Sequence, residues 1–327
     1  MKKLLTSMLI LVGTFLLIGC QGNNKEEEPP QENKKIELIQ DNTFQNGFRI
    51  NPADKDPQPE NRFPLEYNLR YKDTSEQIMW SLSQMGSRYG LADEYAIDKK
   101  EIEEENGNYI LEDTSKKVVI GNDGSLTLEY NTSLEYLEPR KSMEAWPHLI
   151  LEQGFKEHVM LNDALEVNLS LEITLNKLIR QMTNEEYNSG LHTAQFLMFI
   201  VLRSNSSVDS GEYVWFGIPF LDARYQYTPE SGNFDAGTGG NTGKFIYVMP
   251  QIEFMPNGLP LEETVNININ LIPYFHRALI MAQSRGALLN TTVDDLYIMN
   301  MNIGYEIPGT YDVSITIKDL SLMAHMK

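Results

Sequence analysis

The sequence predicts an all-β protein, an antiparallel β-sandwich with one or two short helices. Three observations carry this expectation. Leu165, Val167, Leu169, Leu171, Ile173 and Leu175 alternate with Glu166, Asn168, Ser170, Glu172 and Thr174, which on a strand puts every apolar residue on one face. Val265, Ile267, Ile269 and Leu271 alternate in the same way with Asn266, Asn268 and Asn270. Turn signals separate such runs, as at Asn122-Asp123-Gly124 between KVVI and LTLEY, a hairpin pattern. One-sided strands of this kind belong to antiparallel sheets with one wet face.

The chain opens with Lys2 and Lys3 and a 16-residue apolar run, Leu4–Gly19. That is short for a membrane-spanning helix, which needs about 20 residues, and it has the anatomy of a secretory signal peptide. Leu17-Ile18-Gly19-Cys20 resembles the lipobox of bacterial lipoproteins. The resemblance implies cleavage before Cys20, lipid on its thiol, and a protein held on the extracytoplasmic face of the cell membrane. Residues 20–35 are polar, carry Pro29 and Pro30, and read as a disordered tether. Residues 36–327 then read as a single large β-sandwich domain, with two smaller β-domains dividing near Tyr136–Ala145 as the alternative.

Within that domain Glu76–Met85 is ambiguous between helix and strand. Phe196–Leu202 is a continuous apolar run and reads as a central strand, and Tyr213–Phe220 and Lys244–Met255 are also strand-like. Tyr227–Gly243 reads as a long loop. Ile272–Gly286 is the one good helix: Ile272, Phe275, Leu279 and Ala282 make one face, Pro273 sits early, and Gly286 follows the end. Val313, Ile315 and Ile317 alternate with Asp312, Ser314 and Thr316 after a turn at Pro308-Gly309, which fits positions i+1 and i+2 of a type II turn. The closing run MNIGYEIPGTYDVSITIKDLSL resembles the last strands of jelly-roll carbohydrate-binding modules. That resemblance implies a jelly-roll or lectin-like sandwich and a carbohydrate partner.

Composition excludes several classes of function. The formal charge is −19, so the chain lacks the basic face a non-specific nucleic-acid binder needs, and no nucleic-acid partner is expected. One Cys permits no internal disulfide and no Cys-based zinc site. There is no G-x-S-x-G elbow and no H-E-x-x-H, and the five His (148, 158, 192, 276, 325) show no paired ligand spacing. GTGGNTGKF is only superficially a P-loop, because Phe245 follows Lys244 where Ser or Thr should bind magnesium. No cofactor is expected. Asp294, Asp295, Asp312 and Asp319 are the right ligand type for calcium, but no loop spacing supports a site.

Four local groups remain as candidate chemistry. Trp146, His148, Ile150 and Glu152 would share one strand face, putting an indole, an imidazole and a carboxylate in a row; core packing and an ion pair is the competing reading. Asp222 and Arg224 are expected on one strand face with Trp215, Tyr225 and Tyr227 nearby. Aromatic faces stack on sugar rings while Arg and Asp meet hydroxyls; a salt bridge pinning the strand end, with Trp215 in the core, is the competing reading. The long loop is the third group, and Glu306 beside the turn is the fourth. Two carbohydrate-directed functions follow. One is an anchored lipoprotein binding an oligo- or polysaccharide through Trp146, His148, Trp215, Asp222, Arg224, Tyr225 and Tyr227. The other is a glycan-active enzyme, a hydrolase or lyase, drawing on Glu152, Asp222, Glu253 and Glu306, since the usual hydrolytic route needs two carboxylates about 5–10 Å apart. A lipoprotein with a purely structural or protein-contact role is the third reading.

Overall fold

The computed structural model describes residues 34–53, 67–69, 76–91, 103–235 and 242–327. The segment read as a signal peptide, Cys20, most of the segment read as a tether and the Gly-rich part of loop 227–243 lie outside them. Residues 33–327 form one compact unit. Among the described residues no helix is long and apolar enough to cross a membrane.

Two sheets make a sandwich. The eight-stranded sheet runs, in spatial order, β15 (Thr264–Asn270), β10 (Ala164–Arg180), β17 (Tyr311–Met326), β8 (Leu126–Asn131), β7 (Lys116–Ile120), β6 (Asn108–Glu112) and β5 (Glu103–Glu105), with β1 (Lys35–Glu37) also paired to β17. The nine-stranded sheet runs β13 (Ser231–Phe234), β14 (Phe245–Val248), β12 (Tyr213–Asp222), β11 (Gln195–Ser204), β16 (Leu296–Glu306), β9 (His148–Met160), β4 (Trp80–Ser83), β2 (Phe48–Ile50) and β3 (Tyr67–Leu69). Pairing is antiparallel except at β12–β14 and β2–β4, which are parallel. β8 pairs with β17 and β4 with β9, so strands from both sides of 136–145 share each sheet.

The alternation read from the sequence sets which face is buried. Val167, Leu169, Leu171, Ile173 and Leu175 of β10 enter the core, whereas Leu165 is exposed because a bulge beside Ala164 breaks the register. The ambiguous segment supplies β4, with Trp80 and Leu82 fully buried. Loop 227–243 is not all loop, because Ser231–Phe234 pairs with β14 as β13. The helix α1 (Ile272–Ser284) buries Phe275, Ala278, Leu279 and Ala282, and Phe275 meets Phe216 of β12 edge-on at 4.7 Å. The sheets are also joined by a polar bond inside the core, Tyr305 Oη donating to the Leu128 carbonyl at 3.0 Å.

Pro308-Gly309 does turn the chain, but not as a type II turn. That turn needs positive φ at Gly309, and Gly309 is not among the positive-φ glycines. Gly309 N–H donates instead to the Ile307 carbonyl at 2.8 Å. Gly is required there for closeness, since a Cβ would stand 2.8 Å from the Tyr311 ring. The turn marks one pole of the sandwich. β17 runs from it for 16 residues, and Lys35 pairs with His325 near its far end. At the usual rise per residue Lys35 therefore lies about 45 Å from the turn, at the opposite pole.

A charged network is buried beside β7 and β8. The Lys116 ammonium, 2% exposed as a residue, lies 2.9 Å from Asp113 Oδ2 and 3.4 Å from Glu135 Oε1, and donates to the Tyr89 carbonyl at 2.7 Å. Glu135 is fully buried and also accepts from the Ser115 hydroxyl and the Arg88 N–H. The neighbouring Tyr130 phenol, hydrogen-bonded to Ser87, is held well above its ordinary pKa, first by burial and then by the Glu135 charge.

Candidate functional site

The outer face of the nine-stranded sheet carries most of the polar and aromatic residues singled out above. Its geometry follows from strand register. His148 of β9 faces Glu306 of β16, Glu306 faces Gln195 of β11, and Gln195 faces Asp222 of β12. Partnered residues on neighbouring strands point to the same side. Their chain neighbours Leu149, Tyr305 and Phe196 are fully buried in the core, so this row points outward. Three of the expected groups, far apart in sequence, thus meet in one transverse row at the turn pole.

Two residues along, Ile150 and Leu197 are buried on this outer face, as is Val201 farther on, giving it an apolar floor. Next come Glu152 and Asn302, which are register partners, with Phe199 beside them. Glu152 accepts from Ser83 Oγ at 2.9 Å. Beyond that lie Asn300 opposite Gly154, then Trp215 opposite Val201. Trp215 is half-buried and stands edge-on to Phe199 at 6.0 Å and to Tyr213 at 5.5 Å. Lys244 lies over the Tyr213 ring at 5.5 Å, and a hollow of about 290 Å³ opens there between Tyr213, Phe234 and Leu289. Asn300 Oδ1 is buried without a hydrogen-bond partner among the described residues. A Cβ added at Gly154 would meet nothing within 4 Å, so space stands open beside it.

The row end has its own chemistry. Trp146 lies before β9 rather than on it, 38% exposed, and its indole N–H donates to His148 Nε2 at 2.9 Å. With Nε2 accepting, Nδ1 is left as the ring's donor position, and it is buried without a hydrogen-bond partner among the described residues. Asp222 ends β12, and Arg224 stands in the turn after it rather than on the strand. The Asp222 carboxylate accepts from Arg224 Nε at 2.9 Å, Thr193 Oγ1 at 2.7 Å and Gln195 Nε2 at 2.9 Å. Burial alone would raise its pKa, but these donors outweigh burial and hold it below the ordinary carboxylate value. Asp222 is therefore a sequestered anchor for Arg224, whose guanidinium lies 5.3 Å from the exposed Tyr225 ring. The Glu306 carboxylate has no hydrogen bond or ion pair among the described residues.

Two expected residues sit elsewhere. Tyr227 donates to the Pro256 carbonyl at 3.0 Å, away from the row. Glu253 lies in a 3-10 turn and is held by Arg277 of α1 at 2.9 Å. The four aspartates considered for calcium are not gathered: Asp295 caps the turn at Thr292, whereas Asp312 binds Ser133 at the other pole. No group of three or more His, Cys, Asp or Glu suited to a metal occurs among the described residues.

An open cleft of about 890 Å³ adjoins the row at the turn pole, lined by Glu138, Arg140, Lys141, Glu186, Tyr187 and His192 among others. Trp146 links the two places, for the Arg140 guanidinium lies over its ring at 5.0 Å. Gln195, Phe199, Asn300, Asn302 and Arg140 were not singled out in the sequence. A signal existed for two of them: Asn300, Asn302, Gly304 and Glu306 alternate with Met301, Ile303 and Tyr305.

No family model matches this chain, and no curated protein matches it. Solved structures with some likeness include a native family 12 xyloglucanase from Bacillus licheniformis (13% identity, 66% of this chain and 93% of that one, TM-score 0.39). The endoglucanase cel12A from Rhodothermus marinus is another (10% identity, 67% and 92%, TM-score 0.37). A third is the family 11 xylanase from Neocallimastix patriciarum (8% identity, 66% and 90%, TM-score 0.35). Likenesses of this size carry no argument about the present chain, and function has to be read from its own side chains.

Proposed function

We propose that this protein binds an oligo- or polysaccharide along the outer face of its nine-stranded sheet. One observation carries the reading: the Phe199–Trp215–Tyr213 aromatic group lies on the same face as Asn300, Asn302 and Glu152, over an apolar floor. A sugar ring has apolar C–H faces that stack on aromatic rings and hydroxyls that pair with amides and carboxylates. The open space over Gly154, two residues along β9 from Glu152, leaves room for a sugar ring beside Glu152 and Asn302.

Titration with a glycan panel tests this, followed by fluorescence of Trp80, Trp146 and Trp215. Trp215→Ala is expected to weaken binding of the responding glycan by about tenfold or more with the fold intact. Gly154→Leu is expected to keep the melting temperature, because its side chain enters open space, yet to lose binding because it occupies the room proposed for the sugar. Unchanged affinity in both variants would overturn the site.

The enzyme reading is the second one. It is favoured by His148 and Glu306, an imidazole and an unpaired carboxylate in register on neighbouring strands. Glu152 is four residues from His148 along β9, so it lies about 14 Å from Glu306, beyond the span that two-carboxylate hydrolysis uses. Release of reducing or unsaturated ends from the bound glycan, lost in Glu306→Gln with affinity retained, would establish catalysis.

We further infer that the chain is a lipoprotein anchored through Cys20. The support is the lipobox-like Leu17-Ile18-Gly19-Cys20 and the position of Lys35 at the pole away from the His148–Asp222 row. An anchor preceding Lys35 leaves the site pole free to point outward. Metabolic labelling with a fatty-acid probe, absent in Cys20→Ala, is the expected result.

A further inference from the structure

The cleft at the turn pole holds a charge that the sandwich does not balance. Arg140 is 8% exposed and lines the cleft wall. Its Nε donates to the Glu144 carbonyl at 2.9 Å and its Nη1 to the Leu191 carbonyl at 3.3 Å, while the guanidinium plane faces Trp146. None of the three contacting groups carries a negative charge, the Glu144 carboxylate accepts from the Lys141 N–H instead, and Arg140 forms no ion pair among the described residues. Burying a cation without a counter-ion is costly, and buried charges are ordinarily paired. A second guanidinium, Arg180, lies over the ring of cleft-lining Tyr187 at 4.6 Å; it bonds Asn184 and likewise forms no ion pair among the described residues. The acids of the cleft do not serve as partners. Glu138 pairs with Lys141 at 2.9 Å, Glu186 accepts from the Thr183 N–H at 2.8 Å, and Glu185 is exposed, where water and salt screen it. The wall itself is tied down, since His192 Nε2 bonds the Arg140 carbonyl at 2.8 Å and His192 Nδ1 accepts from the Asn188 N–H.

We propose that this cleft is an anion subsite in which Arg140 receives the carboxylate of a uronic-acid residue, making the preferred ligand an acidic glycan. The inference rests on the glycan reading of the adjoining face. The guanidinium fork matches a carboxylate in two parallel hydrogen bonds, which an ammonium cannot reproduce. Trp146 joins the subsite to the outer face, with Arg140 on its ring and His148 on its indole nitrogen. A chain lying along the face reaches the cleft at its end.

Titration calorimetry on the full chain with oligogalacturonate, oligomannuronate and their carboxyl-reduced neutral counterparts tests the proposal. At least one acidic form is expected to bind about tenfold or more tightly than its reduced counterpart. That advantage is expected to shrink between about 20 mM and about 300 mM salt. Arg140→Lys keeps the charge and the stacking stem, and it is expected to lose most of the preference while the reduced glycan binds as before. If Arg140→Gln fails to fold, Arg140→Lys still decides the matter. Equal affinity for acidic and reduced forms, or a preference untouched by Arg140→Lys, overturns the subsite and leaves the glycan reading standing. Binding of no glycan at all overturns both. Capture of poly-glutamate in place of the uronates overturns the glycan assignment of the cleft.

Discussion

Replacing Lys116 by Met is expected to destabilise the protein by about 3–5 kcal/mol, the usual consequence of leaving a buried charge without its partner. Lys116 has a fully buried side chain between Asp113 and the fully buried Glu135, and its removal takes the cation from both carboxylates, which keep only hydrogen-bond donors such as Ser115 and the Arg88 N–H. The midpoint of urea unfolding at neutral pH measures the loss. The double variant Lys116→Met with Glu135→Leu is expected to recover part of it, because it removes the fully buried carboxylate along with its cation and leaves only Asp113 without the ammonium. A single variant as stable as the parent would show that the network is hydrated and contributes nothing.

The Asp222–Arg224 pair is the second large contributor. Asp222→Ala is expected to cost about 2–3 kcal/mol, less than at Lys116, because Arg224 is partly exposed and can turn to solvent. The same pair contributes to acid sensitivity. The folded Asp222 carboxyl has a pKa below its unfolded value of 3.8. Its stabilisation is therefore complete above that value and is lost as pH falls through the lower folded value. Asp123, held at about 2 by the Ser125 hydroxyl and the Lys318 ammonium, acts in the same sense on the exposed surface. Melting temperatures between about pH 5 and pH 2 are expected to fall less steeply in Asp222→Asn than in the parent. Parallel profiles would show that Asp222 does not titrate with folding.

The Asp222 pair illustrates how far residue types carry a reading. Asp222 and Arg224 were legible as a strand-end ion pair or as a sugar contact, and two residues of spacing serve both equally well. The structure adds Thr193 and Gln195, which complete the carboxylate's bonds and withdraw it from solvent. Trp215 shows the reverse. Composition allowed it to be core, yet its register opposite Val201 turns it to the outer face. His148 and Glu152 share that face, as their four-residue spacing on a strand predicts, whereas Trp146 falls outside the strand.

Local order was determined by the sequence itself. The alternation of β10, β15 and β17, the hairpin at Gly124 and the apolar stripe of α1 each depend on residues within a few positions of one another, where backbone periodicity dictates which side is buried. The row His148–Glu306–Gln195–Asp222 depends on pairing among β9, β16, β11 and β12, whose members lie up to 158 positions apart. The same holds for Arg140 beside Trp146 and the Leu191 carbonyl, and for Lys116 beside Glu135. Long-range strand register and the burial of single charges arise only when distant segments exclude water from one another, so the tertiary structure alone decided them.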